Sequence, residues 1–338
     1  QGRAFWVLDD LWVLRQAANA PADNGLHLYT PPRWSMGKPG GRGRTFEGKN
    51  PSPHVPLYYV IRDEVDDDAT LKIDILDAGG AVVRTMASRE GDQERCEKGN
   101  EEPRQPIKHK YAPTKKGFNK WHWNMKSEDV PCIENILIHA GFNGPSVAPG
   151  DYTARLTLGD LTSEVSFRVA QDPRSSASPD EISDWANTLA TVKAMLSDAL
   201  QALDQARQAR DQITALISEH DDTQLRALAE NAVSGIDVWE KKITQLKHET
   251  YEDEDAWATM FDGQVRYLME TIDRSGAPIT GGMRTRLADL TQQWVELQQE
   301  LRNITANYIV PINDWAYTRQ EPYVVHPGGH TVTADGGT

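Results

Sequence analysis

The sequence is poor in cysteine, in long apolar runs and in positive charge. It has two cysteines and no Cys-x-x-Cys pair, so the thiolates alone would supply only half of a structural zinc shell. No stretch approaches the roughly 18 to 20 consecutive apolar residues that cross a bilayer. The first residues also lack the charged start and apolar run of a signal peptide. We therefore expect no membrane span and no export signal within the given residues.

Basic residues are too few for a general nucleic-acid binder. The 36 Lys and Arg residues face 50 Asp and Glu residues, which gives a net charge of −14, whereas binding to phosphate backbones needs a basic footprint. Three catalytic signatures are missing as well: the G-x-S-x-G nucleophile elbow, the H-E-x-x-H zinc motif and the phosphate-binding P-loop. We therefore predict no nucleic-acid partner and assign no catalytic residue.

Charge and hydrophobic spacing both change near Arg174. Residues up to Arg174 carry 23 basic and 24 acidic side chains, a net charge of −1, whereas the remainder carries 13 basic and 26 acidic side chains, a net charge of −13. Apolar residues alternate in short runs up to about Ala170 and recur at helical spacing after Pro179. This contrast predicts a multidomain β + α chain in which a β half precedes a helical half.

Short alternating apolar runs predict an immunoglobulin-like β-sandwich over residues 57–172. Between two of these runs, Asp77-Ala78-Gly79-Gly80 predicts a tight hairpin, because glycine supplies the positive φ angles that such turns need. A long polar insertion at residues 89–116 interrupts the pattern, and a loop of that length is either functional or disordered. The predicted strands are residues 57–62, 69–76, 81–88, 118–125, 150–158 and 162–169.

The residues before this sandwich predict a strand, a connector and a linker. Phe5, Trp6, Val7 and Leu8 form a dense aromatic and β-branched run, typical of a strand that needs a partner. We interpret residues 11–16 as a short helical or extended connector and residues 26–29 as a second extended piece. Proline and glycine are frequent in residues 31–56, which predicts a linker or a surface loop.

The helical half opens with a capping box at Ser178-Pro179-Asp180-Glu181. The apolar spacing that follows predicts helices at residues 179–219, 223–250, 256–274 and 282–308. Because the turns between them are short, we predict an antiparallel four-helix bundle over residues 178–314. Residues 315–338 are predicted to form an extended, poorly ordered tail.

Three stretches resemble one protein family. Gly2-Arg3-Ala4-Phe5-Trp6-Val7-Leu8-Asp9-Asp10 is similar to the strand that closes the last blade in bacterial secreted β-propeller proteins with sortilin-like or BNR-type repeats. The segment from Gly117 to Asn124, with Ala148-Pro149-Gly150-Asp151-Tyr152-Thr153, resembles the immunoglobulin-like module that follows that propeller. Phe261-Asp262-Gly263-Gln264-Val265 is similar to the C-terminal helical region. Asn124 stands where the family often has Asp.

The resemblance implies a periplasmic or extracellular bacterial parent, often labelled glycosyl-hydrolase-like. Residues 1–30 would then hold the final propeller-blade strand and a connector. Phe5, Trp6, Val7 and Leu8 would pair with a β-propeller domain or chain outside these residues. The family's catalytic carboxylates would lie on the propeller, so the resemblance carries no catalytic residue over to this sequence.

Cys96 and Cys132 flank part of the polar insertion. In an exported protein two thiols are expected to form a disulfide, and closing a loop of about 37 residues contributes about 3 to 4 kcal/mol by restricting the unfolded chain. Two independent thiols, as in a cytosolic protein, are the alternative. A further alternative is a metal site in which His109, His122 and His139 complete the ligand set of the cysteines.

Two other clusters are candidate binding sites. Asp63, Asp66 and Asp68 belong to an acidic run between predicted strands, and calcium prefers clustered carboxylate oxygens. The alternative is a solvated acidic turn, since no EF-hand spacing with its glycine is present, and no other cofactor is predicted. Trp12, Trp34 and Tyr111 are candidate glycan contacts, the alternative being that the aromatic residues are ordinary packing residues.

These observations favour a non-catalytic scaffold that serves assembly or binding in an exported β-propeller protein. The first alternative is the C-terminal accessory region of a glycoside hydrolase whose two carboxylates lie on the propeller. The second is an extracellular assembly protein that contacts further subunits through the helical bundle or the tail. An exposed apolar strand tends to aggregate unless it is paired, so the run from Phe5 to Leu8 is the reason to favour the scaffold.

Overall fold

The computed structural model describes residues 10–19, 25–37, 52–66, 68–89, 111–133, 136, 138, 141–247 and 253–326. The chain is of mixed β and α structure and divides into two compact units. The β unit holds the described residues within 1–95, 108–129 and 144–186, and the helical unit holds those within 96–107, 130–143 and 187–338. None of the helices in the described ranges combines the length and apolarity that crossing a bilayer requires.

The β unit contains two sheets whose buried side chains belong to one hydrophobic core. The strands are β1 (Leu26–Leu28), β2 (Trp34–Ser35), β3 (Val55–Ile61), β4 (Leu71–Leu76), β5 (Val82–Ala87), β6 (Gly117–Trp123), β7 (Gly150–Leu158) and β8 (Leu161–Ala170). The three-stranded sheet has the order β1-β3-β6 and the five-stranded sheet the order β2-β8-β7-β4-β5. Neighbouring strands are antiparallel, apart from β2, which runs parallel to β8.

Alternation along the strands builds this core. Successive side chains of a strand point to opposite faces of the sheet, and Leu57 and Tyr59 of β3 are buried while Tyr58 between them is only partly so. Trp123 at the end of β6 is fully buried, and its ring lies 5.3 Å from that of Tyr152 on β7. The strand β2 and the start of β3 lie within residues 31–56, for which the sequence predicted only a linker or loop.

The predicted hairpin between β4 and β5 is confirmed. Gly80 has a φ of 84°, and the Asp77 carboxylate accepts hydrogen bonds from the backbone N–H groups of Gly79 at 2.8 Å and Ala81 at 2.9 Å. Asp77 thereby supplies the local hydrogen bonds, and glycine supplies the positive φ that the turn needs.

Residues 127–129 cover the outer edge of β5. The backbone N–H of Glu128 donates to the carbonyl of Val83 at 2.8 Å, and the Glu128 side chain accepts the N–H of Thr85. Arg84 donates to Asp129 Oδ1 at 2.7 Å. Since an uncovered strand edge invites pairing with another chain, this cover limits non-specific association of the five-stranded sheet.

Long helices make up most of the remaining described structure. The helices are α1 (Leu11–Ala17), α2 (Pro179–Glu219), α3 (Thr223–Ile243), α4 (Asp253–Ala256), α5 (Phe261–Ser275), α6 (Gly281–Ile304) and α7 (Val310–Arg319). The predicted capping box opens α2: the backbone N–H of Glu181 donates to Ser178 Oγ at 3.3 Å, and that of Ser178 donates to Glu181 Oε2 at 2.8 Å. In the helical unit, Trp239 of α3 donates to the carbonyl of Leu297 on α6 at 2.8 Å.

The described residues within 130–143 belong to the helical unit, although they lie within the range predicted for the sandwich. Val130, Ile138 and Phe142 are buried, and the side chain of Arg266 on α5 donates to the carbonyl of Gly141 at 2.7 Å. Apolar burial and this hydrogen bond therefore assign the segment to the helices, a long-range effect that strand periodicity does not reveal.

The extended tail was predicted to begin at residue 315, which is wrong, because α7 continues to Arg319. Trp315 lies in α7, is buried, and donates through Nε1 to Asp222 Oδ2 at 3.0 Å. Pro311 lacks a backbone N–H but lies in the first turn of α7, and a π-helical turn at Thr305–Ile309 leads directly into that helix. Beyond α7, residues 321–326 are neither helix nor strand, as predicted, and Val324 among them is buried. Residues 327–338 lie outside the described residues.

Candidate functional site on the three-stranded sheet

The outward face of the β3–β6 pair carries polar and aromatic side chains. Tyr58 pairs with Lys120, and Pro56 pairs with His122, across the two antiparallel strands. Because their strand neighbours Leu57 and Trp123 are buried in the core, strand alternation places Tyr58, Lys120 and His122 on the opposite, outward face.

Asp10 joins this face from the start of α1. Its Oδ2 accepts hydrogen bonds from Lys120 Nζ at 2.8 Å and from the Tyr58 hydroxyl at 2.9 Å, and its Oδ1 accepts one from Trp12 Nε1 at 3.2 Å. Lys120 Nζ also lies 4.7 Å from the centre of the Tyr58 ring. The Trp12 ring meets the Tyr58 ring edge-on at 5.6 Å. We call Asp10, Trp12, Tyr58 and Lys120 the Asp10 cluster.

The charges of the Asp10 cluster stabilise each other. Partial burial alone would raise the pKa of Asp10, but hydrogen bonds from Lys120, Tyr58 and Trp12 outweigh it and hold that pKa below its ordinary value. Burial alone would lower the pKa of Lys120, but the contacts with Asp10 and Tyr58 raise it. Asp10 and Lys120 are therefore both charged across the neutral pH range, which makes their bond charge-assisted.

Asp10 has a backbone conformation that few residues adopt. Its φ of 57° and ψ of 35° are left-handed, and although it precedes α1 its side chain makes no capping hydrogen bond to the helix. Aspartate tolerates this region better than most residues, yet such a conformation still costs about 1 kcal/mol or more. The hydrogen bonds to Tyr58 and Lys120 compensate for that cost.

Further rings extend this face. The rings of Tyr29 and Phe118 are stacked at 5.7 Å with an interplanar angle of 8°, and His27 meets Tyr29 edge-on at 4.6 Å. Phe118 is 55% exposed. Burial lowers the pKa of His54 and of His122, so both imidazoles are neutral at pH 7 and add no positive charge beside Lys120.

The groups of the Asp10 cluster satisfy one another. The carboxylate, the phenol, the indole N–H and the ammonium are joined by hydrogen bonds, so each polar group has a partner within the cluster. Such an arrangement fixes the position of α1 and of Asp10 directly before it. Its chemistry is that of an anchor or a contact surface.

The structure separates the three predicted glycan contacts by element. Trp12 lies in the Asp10 cluster. Trp34 lies in β2, donates through Nε1 to the carbonyl of Pro53 at 2.9 Å and packs against the core. Tyr111 is half-buried and precedes β6. Trp12 is therefore the predicted contact that adjoins other outward-facing aromatic groups of the three-stranded sheet.

The predicted calcium ligands lie in the connection between β3 and β4. Asp63, Asp66 and Asp68 are exposed, and Asp67 lies outside the described residues. In the described part of the chain, no group of three His, Cys, Asp or Glu side chains is arranged to hold a metal ion. The calcium site therefore stays a prediction from sequence.

Two other predicted sites lie partly or wholly outside the described residues. Cys132 is disulfide-bonded, and the chain's only other cysteine, Cys96, falls outside those residues. The predicted pairing strand, Phe5, Trp6, Val7 and Leu8, falls outside them as well.

Sequence reasoning missed the Asp10 cluster as a unit. Asp10 is 48 positions from Tyr58 and 110 positions from Lys120, so no local motif joins them. Strand alternation does predict that Lys120 and His122 share a face. It does not predict which carboxylate meets them.

Comparison of the chain with family models, with curated proteins and with solved structures gave no match.

Proposed function

We propose that this chain is a non-catalytic scaffold in an exported β-propeller protein, and that Phe5 to Leu8 pair with a propeller blade outside it. The observation that carries the proposal is the anchoring of Asp10 to Tyr58 and Lys120. Asp10 follows the apolar run after one intervening residue. The anchor therefore sets the place on the β unit from which that run departs.

A fixed departure point favours pairing with another sheet. Each backbone residue that must be ordered on association costs roughly 1 to 2 kcal/mol of conformational entropy. Asp10 is ordered before any partner arrives, since its carboxylate already holds three side-chain hydrogen bonds. Pre-ordering the junction lowers the cost of pairing, as pre-organisation does in other interfaces.

The β unit is, in this proposal, an immunoglobulin-like sandwich. In support, three antiparallel strands and five further strands share a core, and β2 runs parallel to β8 at one edge. The hydroxyl of Tyr152, near the start of β7, donates to the carbonyl of Ala148 at 2.6 Å. That bond resembles the tyrosine corner of immunoglobulin-like domains. Such a module would act as a rigid spacer after the propeller.

The helical unit is proposed to be an antiparallel four-helix bundle of α2, α3, α5 and α6, available for contacts with further subunits. Short connections support this arrangement, three residues between α2 and α3 and five between α5 and α6. Close packing supports it too, because a Cβ at Gly235 of α3 would lie 3.2 Å from Ile304 of α6.

A periplasmic or extracellular location completes the proposal. Its support is the disulfide at Cys132, since disulfides persist in oxidising compartments and are rare in the cytosol.

Removing residues 1–9 tests the proposal. If the strand pairs outside the chain, the truncated protein should unfold at the same denaturant concentration as the full chain and should self-associate less in sedimentation experiments. Val7→Lys should reduce self-association equally, because a lysine in an edge strand opposes pairing. Leu14→Lys, at a 47% exposed position of α1, is the matched control and should leave self-association unchanged.

A loss of stability on truncation would contradict the proposal. It would mean that the first strand belongs to this chain's own sheets. Equal self-association of the full and truncated chains would contradict it as well, because the run would then have no tendency to pair.

A further inference from the structure

The first turn of α5 buries a carboxyl group with an unpartnered oxygen. Asp262 is 3% exposed, and its Oδ1 accepts the backbone N–H of Gly263 at 2.6 Å. Its Oδ2 has no hydrogen-bond partner in the described part of the chain. An unpaired buried charge is strongly unfavourable, so this site suits a neutral carboxylic acid better than a carboxylate.

A second unpartnered group faces the first. Thr244, directly after α3, is 1% exposed, and its Oγ1 also has no partner in the described structure. The Thr244 hydroxyl is close enough to Asp262 to favour the charged form of the carboxyl group, but its geometry is not that of a hydrogen bond. The junction between α3 and α5 thus contains two buried polar groups that do not satisfy each other.

The charged groups around Asp262 are committed to other partners. Arg207 of α2 is the cation whose field reaches Asp262, but its guanidinium pairs with Glu240 of α3 at 2.6 Å. On α5 itself, Arg266 donates to the carbonyl of Gly141. From α6, which packs along α5, Arg286 binds the side chain of Gln264. None of these three cations forms an ion pair with Asp262.

Burial therefore decides the protonation of Asp262. It raises the pKa of this carboxyl group to about 7, against the opposing effects of Thr244, the Gly263 N–H and Arg207. The closed junction holds a proton at mildly acidic pH that an open, solvated junction would release.

The polar contacts beside the junction are exposed ones. Gln245 Nε2, just after α3, donates to the carbonyl of Ala258 at 3.0 Å, and Lys247 lies over the Trp257 ring at 4.1 Å. Exposed contacts of these kinds contribute little each. The buried side chains of Phe261 and Val265 hold the first turn of α5, and an ionised, unpaired Asp262 opposes that burial.

We propose that Asp262 is a proton-operated latch: its neutral form keeps the junction of α3 and α5 closed, and its ionisation opens residues 244–247 and 253–266. The latch is independent of the proposed pairing of the first strand. Its direction follows from linkage. Because the closed form binds the proton more tightly, the opening constant rises by up to about tenfold per pH unit between about pH 4 and pH 7, and then levels off.

Hydrogen exchange of the intact chain between pH 5 and pH 8.5, corrected for the intrinsic pH dependence, tests the latch. In the wild type, protection of the amides in the first turn of α5 should fall with rising pH and level off near pH 7. Asp262→Asn should keep protection nearly constant over that range, because the amide cannot ionise. Asp289→Asn, the same change at an exposed position of α6, should behave like the wild type.

Thr244→Val gives a second, sterically matched test. Removing the hydroxyl removes an influence that favours ionisation, so the pKa of Asp262 should rise and the loss of protection should move to higher pH. The proposal is overturned if wild-type protection does not change with pH, or if Asp262→Asn retains the wild-type change. A Thr244→Val midpoint that moves to lower pH would overturn it as well.

Discussion

Lys120 Nζ lies 2.8 Å from Asp10 Oδ2, which ties the residue before α1 to a strand 110 positions later in the chain. The Tyr58 hydroxyl bonds the same oxygen. Through these contacts a short helix is held on the outward face of the three-stranded sheet, and in the sequence this helix follows the run that we propose to pair elsewhere.

Asp10→Asn should lower the free energy of unfolding of the β unit by about 1 kcal/mol, because it removes a charge-assisted hydrogen bond that is partly shielded from solvent. Asparagine also tolerates the left-handed backbone, so the change isolates the charge. Lys120→Met should cost a similar amount. In urea titrations the double variant should cost clearly less than the two single costs together.

Asp151→Asn is the control for that ion pair. Asp151 pairs with Arg168 at 2.8 Å, but both side chains are more than half exposed, so solvent should screen the pair and the change should be smaller. Equal effects at Asp10 and Asp151 would contradict the anchoring role of Asp10.

Stability should respond to pH in opposite directions at two aspartates. The pKa of Asp262 is raised from 3.8 to about 7 on folding, so its stabilising effect is complete below about pH 3.8 and is lost as the pH rises to about 7, by up to about 1.4 kcal/mol per unit. The pKa of Asp10 is lowered, so its contribution is present above pH 3.8 and is lost as the pH falls below that value.

Guanidinium titrations at pH 5 and pH 8 separate the two groups. Asp262→Asn should be more stable relative to the wild type at pH 8 than at pH 5, whereas Asp10→Asn should show its deficit at both pH values. If the difference in unfolding free energy between the wild type and Asp262→Asn is the same at pH 5 and pH 8, Asp262 does not have a raised pKa.

Glu240→Gln should destabilise the helical unit by about 2 to 3 kcal/mol. The buried Glu240 carboxylate accepts from Arg207 and Arg210, each at 2.6 Å, and the change replaces their shared charged partner with a neutral one. Arg210 keeps its bond to Asp237 at 2.9 Å. The cost should stay below the roughly 3 to 5 kcal/mol of a fully buried pair, since both arginines keep some exposure. Glu300→Gln, which breaks an exposed pair with Lys242, is the control and should have a much smaller effect in thermal melts.

Gly144→Ala should destabilise the β unit strongly. A Cβ at Gly144 would clash with the carbonyl oxygen of Glu128, so the cover over the β5 edge would have to move. The cost should reach about 3 kcal/mol or more. At Gly282, in the first turn of α6, a Cβ meets nothing within 4 Å, and alanine should be neutral or mildly stabilising because it favours helix. Calorimetry that finds the two variants alike would contradict the close packing at Gly144.

Local features of this fold follow from sequence, and long-range ones do not. The turn at Gly79-Gly80 and the capping box at Ser178 were predictable because every interacting group lies within four residues. The Asp10 cluster and the buried Asp262 were not, since a carboxylate in a helix's first turn suggests exposure to water. Trp315 was assigned to the tail, but it lies in α7, and its indole hydrogen bond is with Asp222, 93 positions away in the sequence.

Hydrogen exchange at the amides of Phe5 to Leu8 in the monomeric chain tests the central claim most directly. The account predicts exchange near the intrinsic rate at these amides, together with protection in β6, because the strand's partner lies outside the chain while the sheet that anchors Asp10 is complete. Strong protection of Phe5 to Leu8 in the monomer would show that they pair within this chain, and would contradict the proposed role in closing a propeller blade.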